Sequence, residues 1–511
     1  MTTNKELVSE CLTIGARVDA SGLTSTVGLV PRMANRHGLV AGATGTGKTV
    51  TLQVLAEQFS RAGVPVFAAD VKGDLTGLMS AGTESTEAKR RLLMLSQETR
   101  GYSASPTVVW DVAGKNGVPL RTTISEFGPD LLSALFELND TQDSVLRLAF
   151  AAADSEGLLL LDLKDLDSLL RWIQENREEV SLKFGNIASS SLMAIQRRVS
   201  VLAQEGGDTF FGEPALNISD FLSCDFSGQG VINLLYAREL LQTPKVYCMF
   251  LLWFMSELFE NLDEVGDADK PRLVFFFDEA HLLFKDTPKA LVNKIEQVVR
   301  LIRSRGVGIY FVTQSPDDIP ETILSQLGNR FLHALRTFTP AQKKSLRAAA
   351  DGFAENPHFK AEDVIPNLGL GEALVSTLDE KGSPRPVEIV TIAPPFSRIG
   401  PSDKTLVDER VRTSPFFAKY ATAIDRQSAF EVLKKRSEER QNTIAEKEAK
   451  EQEERRRQKE EKAQSRNSRS AGGSNRQSAG EAFFKSMLRS VGTTLGRQII
   501  RGVLGSIVGR R

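Results

Sequence analysis

Apolar runs closed by polar or glycine-rich turns recur along most of the chain. His37 to Ala41, Val64 to Asp70, Thr107 to Val112, Val231 to Leu235, Arg272 to Phe277, Gly308 to Gln314 and Arg330 to Leu335 are of this kind. Runs without polar alternation suit strands covered on both faces, as in a parallel sheet. Between them apolar residues recur three and four apart. Val50, Leu52, Val54, Leu55 and Phe59 mark one such segment, and Pro244 to Phe259 and Thr287 to Arg305 mark two more. Strand and helix patterns in alternation predict an α/β fold whose helices cover both faces of the sheet.

Other segments break that rhythm. Residues 1–35 form a short lead-in with ribbon-like strands at Leu12 to Gly15 and Val27 to Pro31. From about 130 to 205 the spacing is helical throughout, which predicts a helical insertion within an α/β domain of residues 36–400. Glu372 to Asp379 and Arg385 to Ile392 flank Lys381-Gly382-Ser383-Pro384 and read as a closing hairpin. Residues 401–430 are a connecting segment. Residues 431–463 are rich in Glu, Lys, Arg and Gln with almost no apolar stripe, which predicts a charged helical arm. Residues 464–480 are a Ser/Gly/Asn/Arg-rich linker. In residues 481–511, Phe484, Leu488, Val491, Leu495, Ile499, Val503 and Ile507 share one helical face, and basic residues outnumber acidic ones.

Composition narrows the picture a little. The 511 residues are 41% apolar and 25% charged with a formal net charge of −1, which fits a globular core and excludes a generally basic nucleic-acid coat. Cys11, Cys224 and Cys248 are scattered, so neither a disulfide framework nor a zinc cluster is expected. The first residues lack an apolar signal core and no run is long enough to span a bilayer, so a cytoplasmic location is expected.

The chemistry centres on Gly42-Ala43-Thr44-Gly45-Thr46-Gly47-Lys48-Thr49. This fills every fixed position of the phosphate-binding loop and lies between a strand and a helix. Backbone N–H groups at a helix N-terminus cradle phosphates, Lys48 reaches the β/γ oxygens, and the Thr49 hydroxyl can ligate Mg²⁺. The expected ligands are ATP and Mg²⁺. Asp278-Glu279, ending an apolar strand, is the matching Walker B pair. Asp278 holds the metal and Glu279 orients and deprotonates the attacking water. Gln314 can sense the γ-phosphate or hold that water, the alternative being a strand-end cap. Arg303, Arg305, Arg36 and Arg330 are candidates for an arginine supplied across a subunit interface.

These motifs together resemble the HerA/FtsK superfamily of RecA-like motor ATPases, and within it the bacterial HerA-like helicases. The resemblance rests on RHGLVAGATGTGKT, FFFDEAH, GIYFVTQSP and AADVKGDLTGL, and runs from about Leu12 to Ile392. It implies a RecA-like P-loop sheet and a homo-oligomer, a hexameric ring that moves DNA or protein through a pore. It also implies Lys48 and Thr49 at the nucleotide and Mg²⁺, Asp278 and Glu279 as Walker B, Gln314 as sensor, and Arg303 acting in trans with Arg36 as a second candidate. An N-terminal barrel like that of archaeal HerA proteins is not expected, nor the nuclease partnership it serves. The charged arm and basic tail are additions to the common motor core. The Asp278-Glu279-Ala280-His281 stretch also spells the DEAH of RNA helicases, but Val312-Thr313-Gln314 stands where those carry Ser-Ala-Thr, so His281 is read as structural.

The leading functional reading is a DNA translocase or helicase. The alternative is an ATPase that moves or remodels protein, at a membrane surface or a partner protein engaged by the 481–511 tail. A nucleotide switch with little turnover is disfavoured, since a switch gains nothing from a placed base such as Glu279.

Overall fold

A computed structural model of the chain describes residues 11–469, apart from 20–21, 241–243, 267, 286, 288 and 337. The chain divides into a unit of Met1–Lys434 and a second of Lys435–Arg511.

The first unit is built on one sheet. Its strands are β1 (Leu12–Val18), β2 (Thr24–Leu29), β3 (Gly38–Ala41), β4 (Val66–Asp70), β5 (Thr107–Asp111), β6 (Val118–Pro119), β7 (Ile232–Tyr236), β8 (Leu273–Phe277), β9 (Val307–Thr313), β10 (Asn329–Leu332), β11 (Glu372–Ser376) and β12 (Glu388–Ile392). Their order is β2-β1-β12-β11-β10-β3-β9-β8-β4-β7-β5-β6. From β10 to β6 every pairing is parallel. β11 and β12 pair antiparallel as the expected hairpin, and β1 and β2 extend that edge. The lead-in strands therefore join the main sheet.

Why these runs carry apolar residues at successive positions is visible in the two cores. Val40, Val66, Ala68, Val274, Phe276, Tyr310 and Val312 face one side, where Leu52, Leu55 and Phe59 of the helix Lys48–Arg61 cover them. Leu39, Phe67, Ala69, Phe275, Phe277, Ile309 and Phe311 face the other. That second side is covered by the helix Pro244–Asn261, which is buried around most of its circumference and packs Phe250 and Phe254 on Phe67. Side chains of a strand point alternately to the two faces, so a strand covered on both must be apolar at every position. The helical insertion, from Asp140–Glu156 through Ser189–Gln204, shares this second core through Leu146, Leu169 and Leu192.

Residues 401–430 do more than connect. Helices Lys404–Thr413 and Pro415–Tyr420 form there, and Phe416 and Tyr420 pack on the buried Trp110. The Tyr420 hydroxyl donates to Asp220 Oδ2 (2.5 Å) and accepts from the Asn217 N–H (3.0 Å).

In the second unit the helix Ala429–Arg469 continues to the end of the described residues, with the side chains of residues 435–462 exposed. Ion pairs four residues apart, such as Arg457–Glu453, line it. The start of the expected linker, residues 464–469, is thus helical. Residues 470–480 and the tail at 481–511 lie outside the described residues. Among the described residues no helix is long and apolar enough to cross a membrane.

Candidate nucleotide site

The strand order brings three separate motifs to one edge. β3 lies between β10 and β9, and β8 is the next strand beyond β9. Because all four are parallel, their carboxyl ends emerge together, and there the chain places the phosphate loop, Gln314 and Asp278-Glu279. Ligands of open α/β sheets bind outside these ends.

Glycine is required at the loop for two reasons. Gly42, Gly45 and Gly47 have φ of 155°, 79° and 113°, which L side chains rarely adopt. A Cβ on Gly42 would also fall 2.5 Å from His333 Cβ. Gly47 caps the helix Lys48–Arg61, and Thr51 N–H donates to its carbonyl (3.0 Å). The Thr46 hydroxyl closes the loop on Ala43 O at 2.7 Å.

A second layer braces this loop from behind. His333 Nδ1 lies 2.8 Å from Glu372 O, so Nδ1 donates there and Nε2 accepts from Thr51 Oγ1 at 2.8 Å. Burial lowers the His333 pKa to about 4, which keeps the ring neutral. Gly371 N–H donates to Thr46 O (3.0 Å). The Arg91 guanidinium in turn holds the carbonyls of Leu370, Gly371 and Ile392.

Lys48 Nζ is buried and donates to Gly42 O (2.5 Å) and Ala43 O (3.0 Å). Its pKa is lowered, first by burial. Thr49 follows it at the helix start, half-buried.

Asp278 and Glu279 leave β8 at 5% and 6% exposure. Asp278 Oδ1 accepts from Glu279 N–H (3.0 Å), and its pKa is raised to about 6, first by burial. Glu279 sits in the left-handed region at φ 49°, which turns its side chain back over the strand ends. Its Oε2 accepts from Gln314 Nε2 at 3.3 Å, and Oε1 lies 2.5 Å from Lys72 Nζ. Burial is the largest single influence and would raise the Glu279 pKa, but Lys72, Gln314 and His281 together outweigh it and the net shift is downward. His281 Nδ1 is 3.3 Å from Glu279 Oε2, so this residue stands in the site although the sequence reading made it structural.

Lys72 lies in the AADVKGDLTGL stretch after β4, whose polar run Asp70 to Asp74 is the sequence signal for it. Asp70 folds that turn by accepting from Gly73 N–H (2.7 Å) and Leu75 N–H (3.0 Å), and β4 adjoins β8, which is what delivers Lys72 to Glu279. The Asp70 pKa is raised to about 7, chiefly by burial, with Asp278 adding to it.

The candidate arginines lie toward the amino ends of their strands. Arg36 precedes β3 and Arg303 and Arg305 precede β9, so all three stand at the amino ends, across the sheet from Lys48 and Gln314. Within one chain they do not join the site. Arg330, in β10, is committed to the carbonyls of Leu324, Leu327 and Gly352.

The family described as Helicase HerA-like C-terminal matches residues 16–511. The chain belongs to that family. Among HerA-related proteins it is 22% identical over 350 residues to the DNA double-strand break repair helicase HerA of Sulfolobus acidocaldarius, covering 67% of this chain and 62% of that protein. It is 20% identical over 360 residues to a probable helicase of Methanocaldococcus jannaschii, covering 67% and 64%. The chain thus spans less than two thirds of the length of either relative. Among solved structures, the plasmid coupling protein TrwB in complex with a non-hydrolysable ATP analogue shares the fold, with a TM-score of 0.50, 15% identity, and coverage of 76% of this chain and 97% of that one.

Proposed function

We propose that this HerA-family chain hydrolyses ATP with Mg²⁺ and works as a ring-forming motor that moves DNA. The observation that carries the reading is the convergence of Lys48, Gln314 and the Asp278-Glu279 pair at the carboxyl ends of β3, β9 and β8.

The donor set fits magnesium. The Thr49 hydroxyl and the buried Asp278 carboxylate are hard oxygen ligands, and among the described residues no cluster of three or more His, Cys, Asp or Glu forms an all-protein metal cage. Mg²⁺ sites at triphosphates have this character, using one or two protein oxygens and the phosphates themselves. When bound, magnesium neutralises charge on the phosphate oxygens. Lys48 and the loop N–H groups hold the phosphates, Gln314 fixes the attacking water, and Glu279 accepts its proton. Arg303, with Arg36 as second candidate, completes the site from a neighbouring subunit. An arginine supplied in trans is worth roughly 10³–10⁵ in rate. DNA as the polymer is supported by family membership and by the helicases the chain resembles.

The test is a pair of variants. Glu279→Gln is expected to bind ATP and not turn it over, whereas Lys48→Ala loses binding. Wild-type turnover by Glu279→Gln would remove Glu279 from its role. For the trans arginine, Arg303→Ala chains mixed with Lys48→Ala chains should regain activity, and an absence of rescue would count against it.

A further inference from the structure

We infer that Arg336 contacts the terminal phosphate of the nucleotide held by its own chain. This rests on the nucleotide-site reading above and adds to it a cation that no local motif marks.

β10 runs parallel to β3 in the register Leu332↔Ala41. Beyond the strands the two segments stay side by side, since Ala43 N–H donates to Ala334 O at 2.9 Å. Arg336 follows two residues later and lines the same cavity as Ala43 and Thr44, at the start of the phosphate loop. On the other flank of β3 the register Ala41↔Thr313 puts Gln314 level with Gly42. The loop is therefore bracketed, with Gln314 from β9 on one side and Arg336 from β10 on the other.

Arg336, Ala43, Thr44, Gln314 and His281 line one cavity of about 390 Å³. Its carboxylate, Asp318, is already engaged by the Thr313 hydroxyl (2.6 Å) and Ser315 N–H (3.0 Å). Arg336 is exposed, and among the described residues it has no hydrogen-bond or ion-pair partner. An arginine fork at the mouth of a phosphate loop suits a phosphate oxygen geometrically and electrically. The first residues of the loop line this cavity together with the sensor Gln314, which assigns the cavity to the γ-phosphate.

A γ-phosphate contact separates triphosphate from diphosphate. The affinities of the full chain for ATPγS and ADP, each with Mg²⁺, would be measured by calorimetry for wild type, Arg336→Ala and Arg336→Lys, with thermal melts to confirm folding. Arg336→Ala is expected to weaken ATPγS about tenfold, the size of one charge-assisted hydrogen bond, with ADP unchanged. Arg336→Lys should recover part of that loss. A ratio of ATPγS to ADP affinity equal to the wild type's would overturn the inference. A wild-type chain that bound neither nucleotide would sink the nucleotide-site reading, and this inference with it.

Discussion

Lys72 Nζ stands 2.5 Å from Glu279 Oε1, so the carboxylate read as the water-activating base is joined to an ammonium delivered by the neighbouring strand. Burial, the largest influence, would raise the Glu279 pKa; that ammonium leads the groups, with Gln314 and His281, that hold it below its ordinary value. Replacing it by an apolar side chain removes the leading lowering influence, and the carboxylate then takes up a proton at higher pH. Lys72→Met is expected to shift the acid limb of the kcat–pH profile upward relative to wild type. An acid limb that stays in place would show that Lys72 does not set the state of Glu279.

Gly42 offers a test of the loop that leaves the rest of the fold alone. With φ at 155° and His333 Cβ 2.5 Å from the position of an added Cβ, Gly42→Ala cannot keep the loop's path. Nucleotide binding should fall at least tenfold while the far-ultraviolet circular dichroism spectrum is unchanged. Retained affinity would show that the loop tolerates displacement from His333.

His37 links stability to pH. It is buried between Val299 O, which accepts from Nε2 at 2.9 Å, and Ile309 N–H, which donates to Nδ1 at 3.0 Å. Burial lowers its pKa from 6.5 to about 4. In that window the unfolded chain binds a proton that the folded chain does not, so this contribution is complete above pH 6.5 and is lost as pH falls toward 4. The buried Asp70 and Asp278 act in the opposite sense, so the difference between variant and wild type is the useful measure. His37→Asn removes the titration and keeps a polar side chain at this position, where the backbone has φ 58° and ψ 170°. Chemical denaturation at pH 7 and pH 4.5 should show a smaller acid loss in the variant, by at most about 3 kcal/mol. An equal loss in both would contradict the assignment.

Much of this arrangement was legible in the residues. The β3, β4, β8 and β9 runs stood out because both faces of each are covered, which forbids polar alternation. Lys48, Thr49, Asp278 and Glu279 were legible because each belongs to a local pattern attached to such a run. Lys72 and Arg336 were not. Each is a single cation following a strand, and only the spatial order β10-β3-β9-β8-β4, which differs from the order along the chain, brings them to the loop. Arg36, Arg303 and Arg305 sit close to the right strands in sequence but at their amino ends. The helices at 404–420 escaped because Phe416 and Tyr420 pack on Trp110, a partner some three hundred residues earlier that periodicity cannot reveal.

Tyr420→Phe tests whether that late segment belongs to the folded unit. The change deletes the hydroxyl that donates to Asp220 and accepts from Asn217 N–H, while keeping the ring on Trp110. A loss of about 1–2 kcal/mol in unfolding free energy is expected. Wild-type stability would show that these bonds contribute nothing to the fold.

Whether the site powers movement along DNA is decided by the steady-state ATPase rate of the purified full chain, alone and with single-stranded DNA, double-stranded DNA, RNA or anionic vesicles. Marked stimulation by DNA that weakens as salt rises is expected, since phosphates held by basic side chains release counterions. No response to any nucleic acid, together with stimulation by vesicles, would contradict it and favour a motor that acts on protein at a membrane surface.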